Sequence, residues 1–367
     1  MTTIMKASHQ WSSRPMDQRF LSLTDMLAYK NAVRDNSIAK VVSSRSIEVQ
    51  AVEGDMRGLT VLGANGGGEV VPTHWSFGQM TQLIGAPAKY LRDLPSPLAA
   101  DCINYGLLRR DVEDVGVLVN QATGVSELSC MTGPNYGRIW DASILEQLVN
   151  RFGDGRTGDF RVPGEFGKEV EVTKANSTLY ASDRDMFVFL ADENHRIEVA
   201  DRRNGQAGSL SRGVFVWNSE VGSKTFGVAT FLFDYVCSNR IVWGAQEYKE
   251  LTIRHTSGAP DRFIEEIAPA VEAYANSSTR NIEEAVKNAK AARLETSVED
   301  FLAKRTKFSR RQMAAIVASH DADEGRPMET LWDVTTGITA YARGIQHQDA
   351  RVDIERVGGE ILDLAVA

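Results

Sequence analysis

The rhythm of apolar and polar positions changes along the chain. Ser22-Leu-Thr-Asp25 reads as a helix start of the capping-box type, with an acid at the third position, and predicts a helix running to Arg34. "KVVSSRSIEVQAV" and "GLTVLG" have strand character and end in the glycine-rich loop "GANGGGE". Ser76-Phe-Gly-Gln79 is a second capping-box match. It opens a segment that Pro87, Pro95 and Pro97 divide into short helices, because proline stops a helix but is tolerated in its first turn. "VGVLVN" and "SELSC" predict a hairpin. After "GPNYGRIW" a helix is expected from about Ala142, with Ile144, Leu145, Leu148, Val149 and Phe152 at helical spacing.

Between Gly153 and Ala207 the pattern is polar and looped around one strand, "MFVFL" at 186–190. The stretch from Gly213 to Gly244 then carries two strands, "GVFVWN" and "KTFGVATFLF", joined by the short glycine-containing loop "SEVGS". Apolar residues fill both alternation phases of the second strand, so both of its faces should be covered. From Asp261 onward every segment has helical periodicity, with capping boxes at Thr296-Ser-Val-Glu299 and Ser309-Arg-Arg-Gln312. The expected class is α+β: an antiparallel β-hairpin sheet with packed helices, followed by an all-helical C-terminal region. The expected boundaries are an N-terminal extension over 1–21, an α+β core over 22–258 and the helical region over 259–367.

Composition narrows this further. Hydrophobic residues at 43% and charged residues at 25% of 367 are ordinary for a soluble globular protein. No apolar run reaches the roughly 18 residues of a membrane span, and the first residues contain no apolar core of a secretory signal. Cys102, Cys130 and Cys237 lie far apart, which fits free thiols in a reducing cytoplasm. The net charge of −8 is opposite in sign to the usual footprint of a nucleic-acid binder, so a polyanion would need a local basic surface.

Most enzymatic chemistries find no support. His9, His74, His195, His255, His320 and His347 form no HxH or HxxxH pair. "SHDADE", with His320, Asp321, Asp323 and Glu324, lacks the glycine and distal glutamate of a calcium loop and reads as a solvated helix end. The loop "GANGGGE" is not followed by the Gly-Lys-Ser/Thr of a phosphate cradle. There is no G-x-S-x-G, and Cys237 beside Val236 reads as core. Asp183 with Asp185, and Asp192 with Glu193, flank a strand as solubilising acids do. No catalytic residue, metal or cofactor is assigned.

The basic residues are more suggestive. "KRTKFSRR" places Lys304, Arg305, Lys307, Arg310 and Arg311 around Phe308. Cations of this kind neutralise phosphates, and an aromatic ring can stack on a base. Arg138, Arg212, Lys224, Arg240 and Arg254 extend the set, and Tyr136, Trp217 and Trp243 are stacking candidates. For Trp140, Trp217, Trp243 and Trp332 the competing reading is core packing.

The order of segments is itself familiar. "APAKYLRDLP", "INYGLLRR", "GPNYGRIWDASILEQLV", "WNSEVGSKTFGVATFLFDYVCSNRIVWG" and "TLWDVTTGITAYA" resemble the phage/plasmid-like protein family catalogued as a domain of unknown function. The likeness runs from about residue 22 to 360 and is most specific at Asn218-Ser-Glu-Val-Gly222 and Cys237-Ser-Asn239. It implies a mobile-element origin and a bacterial cytoplasm, and it implies no particular chemistry. In broad outline the fold is also similar to the Redβ and Erf type of single-strand annealing proteins, an analogy that does not fix function. The leading expectation is a non-enzymatic, homo-oligomeric protein binding single-stranded DNA in recombination or replication. The alternatives are a module that binds a host or phage protein, and an enzyme whose site is assembled from distant loops.

Overall fold

The computed structural model describes residues 15–66, 68–109, 114–121, 124–162, 172–175, 177–200, 207–234, 239–241, 251–345 and 348–365. Among the described residues the strands and α-helices run, in order, β1 (Arg19–Phe20), α1 (Leu23–Asp35), β2 (Ser37–Ser43), β3 (Glu48–Ala51), β4 (Leu59–Leu62) and β5 (Val71–Pro72). The chain continues through α2 (His74–Leu83), α3 (Ala88–Asp93), α4 (Ser96–Arg109), β6 (Asp114–Asn120), β7 (Glu127–Thr132) and α5 (Asp141–Phe152). Then come β8 (Phe160–Arg161), β9 (Leu179–Ala181), β10 (Met186–Asp192), β11 (Ile197–Val199), β12 (Gly208–Asn218), β13 (Phe226–Asp234), β14 (Asn239–Ile241) and β15 (Leu251–Ile253). Helices close the chain: α6 (Ala259–Arg262), α7 (Ala268–Ala275), α8 (Arg280–Ala291), α9 (Val298–Arg305), α10 (Arg310–Glu324), α11 (Leu331–Arg343) and α12 (Gln348–Asp363). The fold is α+β with antiparallel sheets and a largely helical C-terminal region.

The main sheet runs β1-β9-β10-β12-β13-β14, with β8 on β10, β11 on β12 and β15 on β13. Its pairings are antiparallel, and β12 with β13 forms the central hairpin. The predicted two-sided burial of β13 is seen: Val228, Ala229, Thr230, Phe231 and Leu232 are all buried. One face carries Met186, Val188, Leu190, Val214, Val216, Phe226 and Val228 against α1, α5 and α7. The other is aromatic, with Phe189 stacked on Phe215 at 4.3 Å. The polar stretch after α5 supplies β8, β9 and β11 as well as the expected strand, because short strands at a sheet's margin need little apolar signal of their own.

A smaller sheet, β2-β6-β7-β5, packs with α2, α3 and α4 around Phe77, Met80, Ile103 and Val117. Helices α8 to α12 share one core with β11, β12 and β13, in which Trp332 is fully buried.

Helix starts show how local chemistry sets these boundaries. Ser22 Oγ accepts from the N–H of Asp25, as its spacing predicts, and Ser309 with Gln312 forms a complete capping box. The expected cap at Ser76 is corrected to Thr73, whose hydroxyl accepts from the N–H of Ser76, leaving Ser76 buried inside α2. Likewise Ser297, rather than Thr296, caps α9. Thr330 and Asp333 form a further box that closes the start of α11.

Candidate functional site

The turn between β12 and β13, residues 219–225, gathers charge from distant parts of the chain. Lys30 comes from α1, Asp141 opens α5, and Glu220 stands in the turn. Lys30 Nζ lies 2.7 Å from Asp141 Oδ2 and 3.1 Å from Glu220 Oε2, and all three residues are buried. Glu220 Oε1 accepts from the Asp141 N–H at 2.8 Å, and Asn218 Nδ2 donates to Asp141 Oδ1 at 2.7 Å. Burial pushes the Asp141 carboxyl up to about 6, with Glu220 adding to the effect and Lys30 opposing it. Burial alone would lower the Lys30 ammonium, but Asp141 and Glu220 hold it above the usual lysine range.

The backbone of the same turn is held carbonyl by carbonyl. Ser219 O accepts from the Tyr136 hydroxyl at 2.9 Å, and Glu220 O accepts from Arg138 Nη1. Val221 O accepts from Trp75 Nε1 at 2.9 Å and Gln79 Nε2 at 2.8 Å. Gly222, at φ +79°, closes the turn in a conformation that side chains rarely adopt. The Ser219 and Ser223 hydroxyls both donate to the Arg184 carbonyl. An exposed loop would leave these carbonyls to water. Here they form a seam between the main sheet and the α2–β7 region.

This geometry decides where several basic and aromatic candidates act. Arg212 is 4% exposed; its Nε lies 3.0 Å from Asp192 Oδ2, and its Nη atoms donate to the carbonyls of Tyr274, Ala275 and Ser277. The expectation that Arg212 contacts a phosphate is therefore corrected: it ties the strand to α7 from inside. Tyr136 has His255 stacked on it at 4.9 Å and the Arg138 guanidinium at 5.3 Å, so its ring is committed to internal contacts. Trp217 lies across its register partner Gly227, where a Cβ would meet the indole Cζ2 at 2.1 Å, and it tilts against Phe215 at 4.8 Å. Its ring is packed where the sequence reading offers it to a base. Arg138 is half-buried, also reaching Cys130 Sγ at 3.7 Å, and Lys224 Nζ sits 5.3 Å over the Phe187 ring. Burial pushes the Cys130 thiol up, which removes the case for a nucleophile there.

The remaining candidates behave differently. Arg254 is exposed. Lys304, Arg305, Lys307, Arg310 and Arg311, at the junction of α9 and α10, are all exposed, and none makes an ion pair among the described residues. Phe308 between them is half-buried and packs against the helical core, which anchors the junction. The Arg240 side chain and all of Trp243 and Cys237 lie outside the described residues.

No group of three or more His, Cys, Asp or Glu residues is placed to hold a metal among the described residues. His320 is buried with Nδ1 3.4 Å from Thr336 Oγ1, and Asp323 pairs with Arg343 at 2.9 Å. A cavity of about 570 Å³ opens between α5, the main sheet and α7, floored by residues such as Val216, Phe226 and Phe263. Arg151, paired with Glu272 at 2.8 Å, stands on its wall. Lys30, Asp141 and Glu220 do not line it. No helix among the described residues is long and apolar enough to cross a membrane.

Sequence reading did not find Lys30, Asp141 or Glu220 as a group. Lys30 is one lysine in an amphipathic helix, and nothing local marks it as buried. Asn218-Ser-Glu-Val-Gly222 was the nearest signal, since it singles out the turn on which these charges meet. No curated protein and no solved structure matches this chain. The family model described as "Domain of unknown function (DUF932)" matches residues 167–356, just over half of the chain, which includes the clamped turn and the basic junction, and the chain belongs to that family.

Proposed function

We propose that the protein is a non-enzymatic binder of single-stranded DNA, serving recombination or replication of a mobile element, with the α9–α10 junction as its phosphate-contacting surface. The observation that supports this reading is the run from Lys304 to Arg311, in which five basic side chains are exposed and unpaired among the described residues. Lys30 and Arg212, by contrast, are drawn inward and paired with carboxylates. Charge left unpaired on the surface of a molecule of net charge −8 is available to a polyanion. Arg254 remains a candidate contact, whereas Arg212, Tyr136 and Trp217 leave the set.

Fluorescence anisotropy with a labelled oligothymidylate tests this. Binding should be tight at low salt and weaken steeply as salt rises. Replacing the five basic residues by Gln should reduce the salt slope by about 3.5, at roughly 0.7 for each of the lost phosphate contacts. Absence of binding at low salt, or a slope unchanged in the variant, overturns the reading.

One observation favours an added protein contact. Leu98, Tyr105 and Leu108 on α4 are exposed at spacings that share one helix face, Leu108 at 72%. A second copy of the chain on this face would give the expected homo-oligomer. Sedimentation analysis of a Tyr105→Glu, Leu108→Glu double variant should then show a smaller species than the parent chain.

A further inference from the structure

The start of α2 carries a second convergence of charge, separate from the α9–α10 junction. Arg92 Nη2 donates to the His74 carbonyl at 2.8 Å, and Arg184 Nη2 lies 3.1 Å from His74 Nδ1. A guanidinium can only donate, so Nδ1 accepts and the neutral ring keeps its proton on Nε2. That Nε2 is buried and has no hydrogen-bond partner. Both guanidiniums are half-buried, and neither pairs with a carboxylate among the described residues. Their remaining contacts are aromatic: Arg92 over Phe77 at 4.8 Å and Arg184 over Trp75 at 5.5 Å. Burial, then the nearby Arg184, hold Arg92 below the usual guanidinium range. Burial, then Arg92 and Arg184, likewise lower His74, against a rise from the exposed Asp183.

His74 and Arg92 line a cavity of about 420 Å³ whose walls are largely apolar, with Phe77, Leu91 and Leu94 among them. Arg57 and Asp55 stand at the same cavity and are exposed. Two partly desolvated cations and an unpaired N–H donor, with no carboxylate paired to them among the described residues, are costly to hold together. An oxyanion would offset that cost by accepting from several of them at once. The apolar walls suit a ligand with a flat or hydrocarbon body, and the volume is that of a small-molecule site.

From this geometry we infer that the cavity at the start of α2 binds a phosphate monoester, its phosphoryl group taken by Arg92 and the His74 Nε2–H and its body seated along Phe77 and Leu91, while Arg184, which does not line the cavity, fixes the His74 tautomer from the Nδ1 side. The site is independent of the DNA surface proposed above. It holds one terminal phosphate in a recess, whereas the α9–α10 junction would track a backbone.

Isothermal titration of the full-length chain with adenosine 5′-monophosphate, with inorganic phosphate and with adenosine tests this. The expected result is saturable binding of the nucleotide, weaker binding of phosphate and none of adenosine. Arg92→Gln and Arg184→Gln should each weaken nucleotide binding about tenfold or more, with far-UV circular dichroism confirming that each variant folds. Because the parent chain is titrated directly, a variant that fails to fold does not rescue the idea. No binding of nucleotide or phosphate by the parent chain overturns it. So does binding that survives both substitutions, or that is lost instead in the variant neutralised between Lys304 and Arg311.

Discussion

The β12–β13 turn and the α9–α10 junction are both charged segments with aromatic residues among or beside them, and the chain uses them in opposite ways. At the turn, Lys30, Asp141 and Glu220 are buried against one another, and each carbonyl from Ser219 to Val221 is taken by a side chain. At the junction the cations face water and only Phe308 turns inward. A buried charge must be matched on the spot, so its removal is felt as lost stability. An exposed charge contributes little to folding and is available for binding. The contrast separates residues that hold the molecule together from residues that can act on something else.

The largest expected effect comes from breaking the buried group on one side. Lys30→Met leaves two carboxylates facing each other in the interior and should cost about 3–5 kcal/mol in chemical denaturation. Arg212→Met removes the buried cation paired with Asp192, which keeps its contacts with His195, and removes the donor to three carbonyls; a loss of about 3 kcal/mol is expected, with oligonucleotide affinity of the folded protein unchanged. If that variant were fully stable but weak in DNA binding, the division between the two regions would fail.

A pH series probes the same turn more gently. Burial holds the folded Asp141 carboxyl up at about 6, above the 3.8 of an aspartate free in water. The folded state therefore holds the proton more tightly, and this contribution to stability is present below about 3.8 and is lost as pH rises through about 6. Comparing denaturation midpoints of the parent chain and Asp141→Asn across that window should show the parent losing stability with rising pH relative to the variant. The smallest effect on folding belongs to the junction: Gln at Lys304, Arg305, Lys307, Arg310 and Arg311 should each shift stability by no more than about 0.5 kcal/mol. Thermal unfolding of the five-fold variant checks this beside the DNA titration.

How legible these regions are in the sequence follows from the range of the interactions. Ser22 with Asp25 and Ser309 with Gln312 are readable because a cap is settled within four residues. The slip from Thr73 to Ser76 has the same origin, since two hydroxyl residues three apart both fit the pattern and only the chain's entry angle chooses. The hairpin's strands are legible from their β-branched and aromatic content. Arg212 was not, because "GSLSRG" looks like a polar loop until β12 is seen to begin at Gly208 and Asp192 to lie beside it. Lys30 and Glu220 are 190 positions apart, and no local pattern encodes their meeting. The 304–311 run is legible because exposure requires no partner, so composition alone describes it.

The seam around the turn bears on how this family should be handled at the bench. The family match begins at residue 167, yet Lys30, Trp75, Gln79, Tyr136, Arg138 and Asp141, which satisfy the turn, all precede it. An expression clone started at that border would strip Glu220 of its counter-ion and three carbonyls of their donors, and would also remove β1 from the sheet's margin. The stretch defined by sequence kinship thus lacks part of what packs and satisfies its own turn, and fragments for crystallisation or binding assays should retain the segment from Arg19 onward.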